Sequence, residues 1–398
     1  MKNPEVILLM ERCDLAIIGG GMVGALAAGL LAATGLDIRL IEAKTPGPFD
    51  DTQDHDLRVS AISAASVRLL QQAHAWERVL AMRAWPYQGL EASEWQGFVT
   101  RFSAAELDAE YLGFMVENRV LQLALWQALA DWQNVTLECP NGLAALRQLD
   151  DGAELTLSDG RRLHARLVLA CDGAESRTRQ FARIGITAWD YAQHCMLINV
   201  CTIDTAQDIT WQQFHPSGPR AFLPLGGNRA SLVWYDAKDR IAQLAGMTNE
   251  QLAEQIHNAF PVRLGPVSVL DKGHFPLRRR HANDYAKGAV VLLGDAAHTI
   301  NPLAGQGVNL GFKDVAVLSK LIHQAVEGGQ DFAGPTLLAE YSRQRRPDNL
   351  LMQSMMDVFY QAFSNDLLPL KLLRNLGLKA AEHSGPLKTA VMKYAMGL

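Results

Sequence analysis

Three strand ends and the glycines beside them hold the chemistry readable in this chain. The run Ala289-Val-Val-Leu-Leu is the aliphatic pattern of a strand buried on both faces, and it stops at Gly294-Asp295 with a carboxylate at its end. A second run, Leu167-Val-Leu-Ala-Cys171, stops at Asp172-Gly173. A third, Leu15-Ala-Ile-Ile18, enters Gly19-x-Gly21-x-x-Gly24, then a helical stretch, then Ile38-Arg-Leu-Ile-Glu42. In that fingerprint Gly19 permits a tight turn, Gly21 lets backbone approach a pyrophosphate, and Gly24 allows close helix-to-strand packing. Glu42 follows Gly24 by 18 positions. A carboxylate there takes both ribose hydroxyls of an adenosine and repels a 2'-phosphate. After Asp295 and Ala296, a turn-rich segment containing Pro302 leads to Gly305-Gln-Gly307 at the start of a helix bearing Val308, Leu310, Val315, Leu318 and Leu321. A helix start offers free N–H groups and about half a positive charge, suited to a phosphate or an anionic ring atom. Ligands of open α/β sheets bind outside the carboxyl ends of the strands, so the three ends point to one crevice and one cofactor. Each Asp-Gly pair taken alone also reads as a plain turn.

The elements that position these residues need a large core, and 398 residues at 48% hydrophobic composition supply it, as two domains or one with insertions. A net charge of -5 without a basic block argues against a nucleic-acid partner. Cys13, Cys139, Cys171, Cys195 and Cys201 are odd in number and scattered, which indicates neither a disulfide framework nor a zinc site and fits a reducing cytosol. His194, His215, His274 and His281 lack metal-ligand spacing, so no metal is expected. The stretch 15–36 carries no charge and is long enough to span a bilayer, but its six glycines and leading aliphatic run read as strand, turn and helix. Residues 1–14 do not form a secretory signal.

Along the chain, 44–57 reads as a loop, followed by Arg58, either phosphate-facing or a solvated surface residue, and a helix-like 60–70. Strand patterns over 85–102, with a Gln96-Gly97 turn, suggest an inserted hairpin, and 113–132 reads as an amphipathic helix carrying Arg119 and Gln122. Asp159-Gly160 marks a hairpin turn. From 186 to 274 the chain turns to aromatic-rich strands with a helix over 250–259, read as an antiparallel substrate sheet in which Trp211, Phe222 and Trp234 line a pocket or pack a core. A Met-rich helix after Pro347 places Leu351, Met355, Phe359 and Phe363 on one stripe. The tail from Asn365 is apolar with net charge +3, open either to a membrane surface or to packing on the body or an oligomer interface.

Together, the Gly19 fingerprint, Asp172-Gly173 and the Gly294–Gly307 segment resemble the class A flavoprotein aromatic hydroxylases, with the fold of p-hydroxybenzoate hydroxylase. Arg58-Val-Ser-Ala-Ile-Ser, Glu117-Asn-Arg-Val-Leu-Gln122 and Gly294-Asp-Ala-Ala-His-Thr-Ile-Asn-Pro-Leu-Ala-Gly-Gln-Gly-Val-Asn309 narrow the resemblance to the ubiquinone-biosynthesis hydroxylases, over essentially the full length. The resemblance implies an α/β fold: a Rossmann-like FAD domain (1–84, 113–185, 276–345) interleaved with a substrate domain (85–112, 186–275), and a helical C-terminus (346–398). It implies FAD as cofactor, NAD(P)H as transient reductant, and hydroxylation of a polyprenylated benzoquinol through a C4a-hydroperoxyflavin with O2. By position, Glu42 would bind ribose, Asp295 the ribityl chain, and the backbone at Ala296 the pyrophosphate. Gly305, Gly307 and Asn309 would meet the isoalloxazine, and Pro302 would shape its wall. Arg58, Arg119 and Gln122 would lie near FAD, and Asp172-Gly173 at its reductant side. Cys171 stands where the family has alanine, and His298 reads as packing. No residue is identified as a general base. The expected location is cytoplasmic, with peripheral inner-membrane or biosynthetic-complex contact through the tail, and a homo-oligomer is compatible. A dehydrogenase without oxygen insertion, a hydroxylase of another ring position and an interaction subunit holding FAD structurally are the competing readings.

Overall fold

Strand Glu11–Ile18 lies between two parallel neighbours, Ile38–Ile41 and Arg162–Ala170, and its residues Leu15 to Ile18 are buried. A strand covered on both faces needs apolar side chains in both directions, which is why the run is continuous instead of alternating. The computed structural model describes residues 10–95, 98–203, 207–300, 307–365, 368–382, 385 and 388. In it this strand belongs to a sheet ordered Ala286–Lys287, Val290–Leu292, Arg162–Ala170, Glu11–Ile18, Ile38–Ile41, Val135–Glu138. The hairpin around Asp159-Gly160 pairs Gly152–Leu157 with Arg162–Ala170, and Leu143–Leu149 extends it. Helix Met22–Leu31 packs against helices Asn118–Leu129 and Gly307–Glu327. The uncharged 15–36 stretch is thus split between a strand and a ten-residue helix. Among the described residues no helix is long and apolar enough to cross a membrane.

The second sheet runs His298–Thr299, Val267–Ala282, Ile186–Thr202, Arg229–Ala237, Arg220–Gly226, Ile209–Gln213, Gly89–Ser93, Val99–Ser103. Its strands alternate, and alternation sorts side chains onto two faces. Met196, Ile198, Val200, Leu232 and Trp234 point to a core closed by helices Lys238–Ala245 and Asn249–Ala259. Cys195, Leu197, Val233 and Tyr235, one residue out of phase, face a cavity on the other side.

Several expectations from the sequence need correction. The 60–70 stretch is not wholly helical: Val59–Ser63 is a strand paired with Gly113–Glu117, and the helix is Ala64–Gln72, whose N-cap Ser63 accepts the Ser66 N–H at 3.3 Å. The start of 113–132 is likewise strand before helix Asn118–Leu129. Trp85–Tyr87 joins this small sheet, so only Gly89–Ser93 and Val99–Ser103 extend the large antiparallel one. The Gln96-Gly97 turn lies outside the described residues. Strand Val267–Ala282 runs through the expected boundary at 275, and helix Pro335–Phe363 runs through that at 345 and through Pro347. Proline removes one backbone donor there, but Arg345 and Asn349 on either side are hydrogen-bonded to Asp314 and hold the helix in place. Along that helix Leu351 and Met355 are exposed, while Met352, Gln353 and Phe363 are buried.

The last helix, Leu368–Glu382, packs on the Gly89–Ser103 hairpin. Arg374 and Asn375 donate to the buried carboxylate of Glu94 at 2.6 and 2.7 Å, Lys371 sits 5.2 Å over Trp95, and Lys388 pairs with Glu106 at 3.0 Å. Removing one partner of a buried charge pair leaves the other unpaired. Glu94→Ala is therefore expected to cost about 3 kcal/mol, read by chemical denaturation, and to expose the last helix to trypsin while the Gly19 edge stays protected. A second expectation concerns acid. Burial first, then the neighbouring His298 and Arg346, push His281 down to about 4. The unfolded chain therefore binds more protons than the folded one between about pH 6.5 and 4, and stability falls as pH drops through that window. Denaturation midpoints of His281→Leu should show a flatter slope there, by up to about 1.4 kcal/mol per pH unit.

Candidate active site

Parallel pairing levels the motif-bearing strand ends along one edge. Ile18 is in register with Ala170 and Ile41, and Ala170 with Leu292. Beyond the strands the ladder continues: Gly19 N–H donates to Ile41 at 2.8 Å, Cys171 N–H to Ile18 at 2.8 Å, and Leu293 N–H to Ala170 at 3.0 Å. The Gly19 loop, Asp172-Gly173 and Gly294-Asp295 are therefore brought together.

Each fingerprint glycine has its own physical reason. Gly19 has φ +101°, and a Cβ there would stand 2.4 Å from the Cys171 carbonyl oxygen. A Cβ on Gly24 would stand 1.9 Å from the Gly19 carbonyl oxygen. A Cβ on Gly21 would meet no protein atom within 4 Å. Gly21 thus keeps open a space bordering the cavity at the start of helix Met22–Leu31, where no side chain caps the N–H groups. An uncapped helix start with room for close backbone approach fits a pyrophosphate.

Glu42 accepts the N–H groups of Gly20 at 2.7 Å and Lys44 at 2.9 Å. The Gly20 carbonyl in turn accepts from Gln122 at 2.9 Å and from Trp126 at 2.8 Å. Sequence reasoning missed Trp126, because its position on helix Asn118–Leu129 gave no sign that the indole reaches the glycine loop. Arg119 makes two bonds to Asp56, at 2.8 and 2.9 Å, and one to the Pro48 carbonyl, so it clamps the 44–57 loop. Arg58 faces the cavity, 4.6 Å over the Phe275 ring.

Asp172 is occupied by its own turn. It accepts from Ser176 Oγ at 2.5 Å and from the Thr178 N–H and hydroxyl at 3.0 and 2.9 Å. Gly173, at φ +78°, and Ala174 line the cavity. Arg179, also missed, is buried and donates to the carbonyls of Ala296 at 2.8 Å and Ala174 at 3.1 Å, joining the two acidic turns. In sequence it is one of several arginines in a polar turn.

Asp295 is open to the cavity but set deep within it. Desolvation raises its carboxyl, against which His298, Arg58 and Arg280 act. Gly307 and Val308 border the same space. The Asn309 side chain turns away: it accepts from Ser63 N–H at 3.1 Å and Ser66 Oγ at 2.7 Å and donates to Ala61 at 2.8 Å. Pro302 and Gly305 lie outside the described residues.

The cavity holds about 700 Å3, within the range of small-molecule sites. Its far wall is the apolar face of the antiparallel sheet, with Cys195, Leu197, Val233, Tyr235 and Phe275. Of the three aromatics singled out, Trp211 borders the cavity, whereas Phe222 and Trp234 belong to the opposite core, Trp234 edge-on to Phe260.

Residues 12–353 match the family described as FAD binding domain. The chain is 52% identical over 388 residues to 3-demethoxyubiquinol 3-hydroxylase of Escherichia coli, covering 98% of this chain and 99% of that one. It is 38% identical to ubiquinone hydroxylase UbiL of Rhodospirillum rubrum, over 96% of this chain and 89% of that one. In fold it is similar to p-nitrophenol 4-monooxygenase PnpA from Pseudomonas putida, with a TM-score of 0.79 at 20% identity and 97% of each chain covered. An edge of levelled strand ends, an open glycine cradle and these matches place the chain in the FAD binding domain family, among its ubiquinone-biosynthesis hydroxylases.

Proposed function

We propose that this protein is an FAD-dependent monooxygenase that hydroxylates the ring of a polyprenylated benzoquinol. One observation carries the reading: a single cavity is bounded by Gly21, Asp295 and Gly307 on one side and by the apolar sheet face on the other. A planar ring resting on Leu197, Val233 and Phe275 therefore faces whatever lies along the strand ends. The similarity to 3-demethoxyubiquinol 3-hydroxylase supports a quinol as that ring.

The chemistry FAD supplies when bound is activation of dioxygen and delivery of one oxygen atom to an electron-rich ring carbon. The chain's own work is binding, orientation and exclusion of water. The N–H groups at Gly21 and the backbone at Ala296 would hold the pyrophosphate. Glu42, both of whose oxygens already accept backbone N–H groups, keeps further lone pairs for ribose hydroxyls. Asp295 would take the ribityl chain and Arg58 would face the cofactor. Gln122, Arg119, Asp172 and Asn309 act at one remove, by fixing the glycine loop, the 44–57 loop, the Gly173 turn and the start of helix Gly307–Glu327. That 21-residue helix directs its positive end at the cavity, where negative charge on the flavin would be stabilised.

NAD(P)H is the proposed reductant, acting transiently because the one dinucleotide fingerprint serves FAD. The proposed location is cytoplasmic, with peripheral contact at the inner membrane where the substrate's tail resides. Exposed Leu351, Val358, Leu372 and Leu376 on the last two helices support that contact.

The purified protein should be yellow or turn yellow with added FAD, and with reductant, O2 and a demethoxyquinol it should yield a product heavier by one oxygen atom, read by mass spectrometry. A protein that stays colourless with FAD, or one that returns only peroxide with every quinol offered, would sink the reading. Two glycines separate cofactor binding from folding. Gly21→Ala should leave the apoprotein's melting temperature close to parental and weaken FAD binding at least ~10-fold, about 1.4 kcal/mol. Gly24→Ala should instead deplete folded protein, because its Cβ meets backbone.

A further inference from the structure

We infer that Asp314 is a positioning residue for the flavin: one carboxylate pins the start of helix Gly307–Glu327 against the Gly294–Ala296 turn, and so sets the helix end relative to Asp295. The inference rests on FAD lying along this edge. Asp314 does not border the cavity, so it acts only through other groups.

Its side chain is fully buried. One oxygen accepts the Gly294 N–H at 3.0 Å and His298 Nε2 at 2.5 Å. The other accepts Arg345 Nε at 2.7 Å and Asn349 Nδ2 at 3.0 Å. Four segments therefore meet on two oxygens: a strand end, the short strand His298–Thr299, the helix that bears Asp314, and helix Pro335–Phe363. Arg345 is itself held by Asp348 at 2.6 Å and by Asn349 Oδ1 at 2.7 Å, and Asn349 reaches the Tyr285 hydroxyl at 3.2 Å. Burial opposes ionisation, but His298 and Arg345 outweigh it and hold the carboxyl down at about 2.

The helix geometry converts this bond set into cofactor geometry. Asp314 stands two turns beyond Gly307, about 10 Å along the axis. Midway, Gly311 is in backbone contact with the turn: a Cβ there would be 3.2 Å from Gly294 Cα and 2.8 Å from Val23 of helix Met22–Leu31. Gly311 fixes how near the helix lies. It does not stop the helix sliding or turning on that contact, and the Asp314 bond to Gly294, one residue before Asp295, does.

The test uses the full-length holoenzyme, comparing parental protein with Asp314→Asn, Asp314→Glu, His298→Asn and the control Glu94→Ala, a buried carboxylate outside this bond set. FAD affinity is read by flavin fluorescence, the midpoint potential by redox titration, and stability by thermal melting. Both Asp314 variants should weaken FAD more than 10-fold and shift the potential to lower values, since a displaced helix end stabilises reduced flavin less. His298→Asn, which leaves the Asp314–Arg345 pair intact and keeps the test open if the Asp314 variants fail to fold, should move both in the same direction by a smaller amount. Glu94→Ala, whose bonds go to the last helix, should lower the melting temperature and leave both flavin readings alone. Loss of melting temperature with parental affinity and potential in the folded Asp314 and His298 variants would overturn the inference alone. A parental protein that takes up no FAD would overturn the cofactor reading and the inference with it.

Discussion

The register of four parallel strands is the constraint on which the rest of this molecule depends. Ile18, Ile41, Ala170 and Leu292 stand level, so every motif that follows one of them emerges at the same edge. A sheet in which parallel neighbours are held by evenly spaced hydrogen bonds tolerates no slip of one residue, since a slip would turn each buried side chain to the other face. Because both faces are closely packed, side chains exchanged in that way would leave gaps and collisions. The glycine loop, the two acidic turns and the start of helix Gly307–Glu327 inherit their relative positions from it.

The antiparallel sheet solves a different problem with the simpler rule of period two. Met196, Ile198 and Val200 of strand Ile186–Thr202 close a core with two helices, and Cys195 and Leu197 between them form part of the cavity wall. The same strands thereby supply stability on one face and an apolar surface on the other. A reactive oxygen-transfer site needs such a surface, because excluded water cannot intercept the chemistry.

Several acidic side chains in this chain hold turns and helices in place. Glu42 holds the glycine loop, Asp172 its own turn, Asp314 a helix against a strand end, and Glu94 the last helix. Burying a carboxylate is costly unless it is paired and hydrogen-bonded, and each of these accepts two or more N–H or O–H groups. With the reactivity residing in the cofactor, the protein's charged groups serve to keep edges and helix ends in place. Asp295 differs in facing the cavity.

The sequence by itself determined the strand ends, the fingerprint and the class of fold, because these follow from local physics: aliphatic runs, period-two alternation, and glycines where φ is positive or a Cβ would collide. It also carried the succession of motifs that marks the family. It misjudged the stretch after Arg58, where Val-Ser-Ala-Ile-Ser suits a strand only once Gly113–Glu117 is beside it. Only the tertiary structure decided what each polar side chain does. Arg119 and Asn309, both expected at the cofactor, are committed to the protein's own loops and strands. Trp126, Arg179 and Asp314 show no motif, and they reach Gly20, Ala296 and Gly294, which lie 106, 117 and 20 positions away. Such bonds exist only after the sheet has brought those segments together, which is why no local pattern announces them.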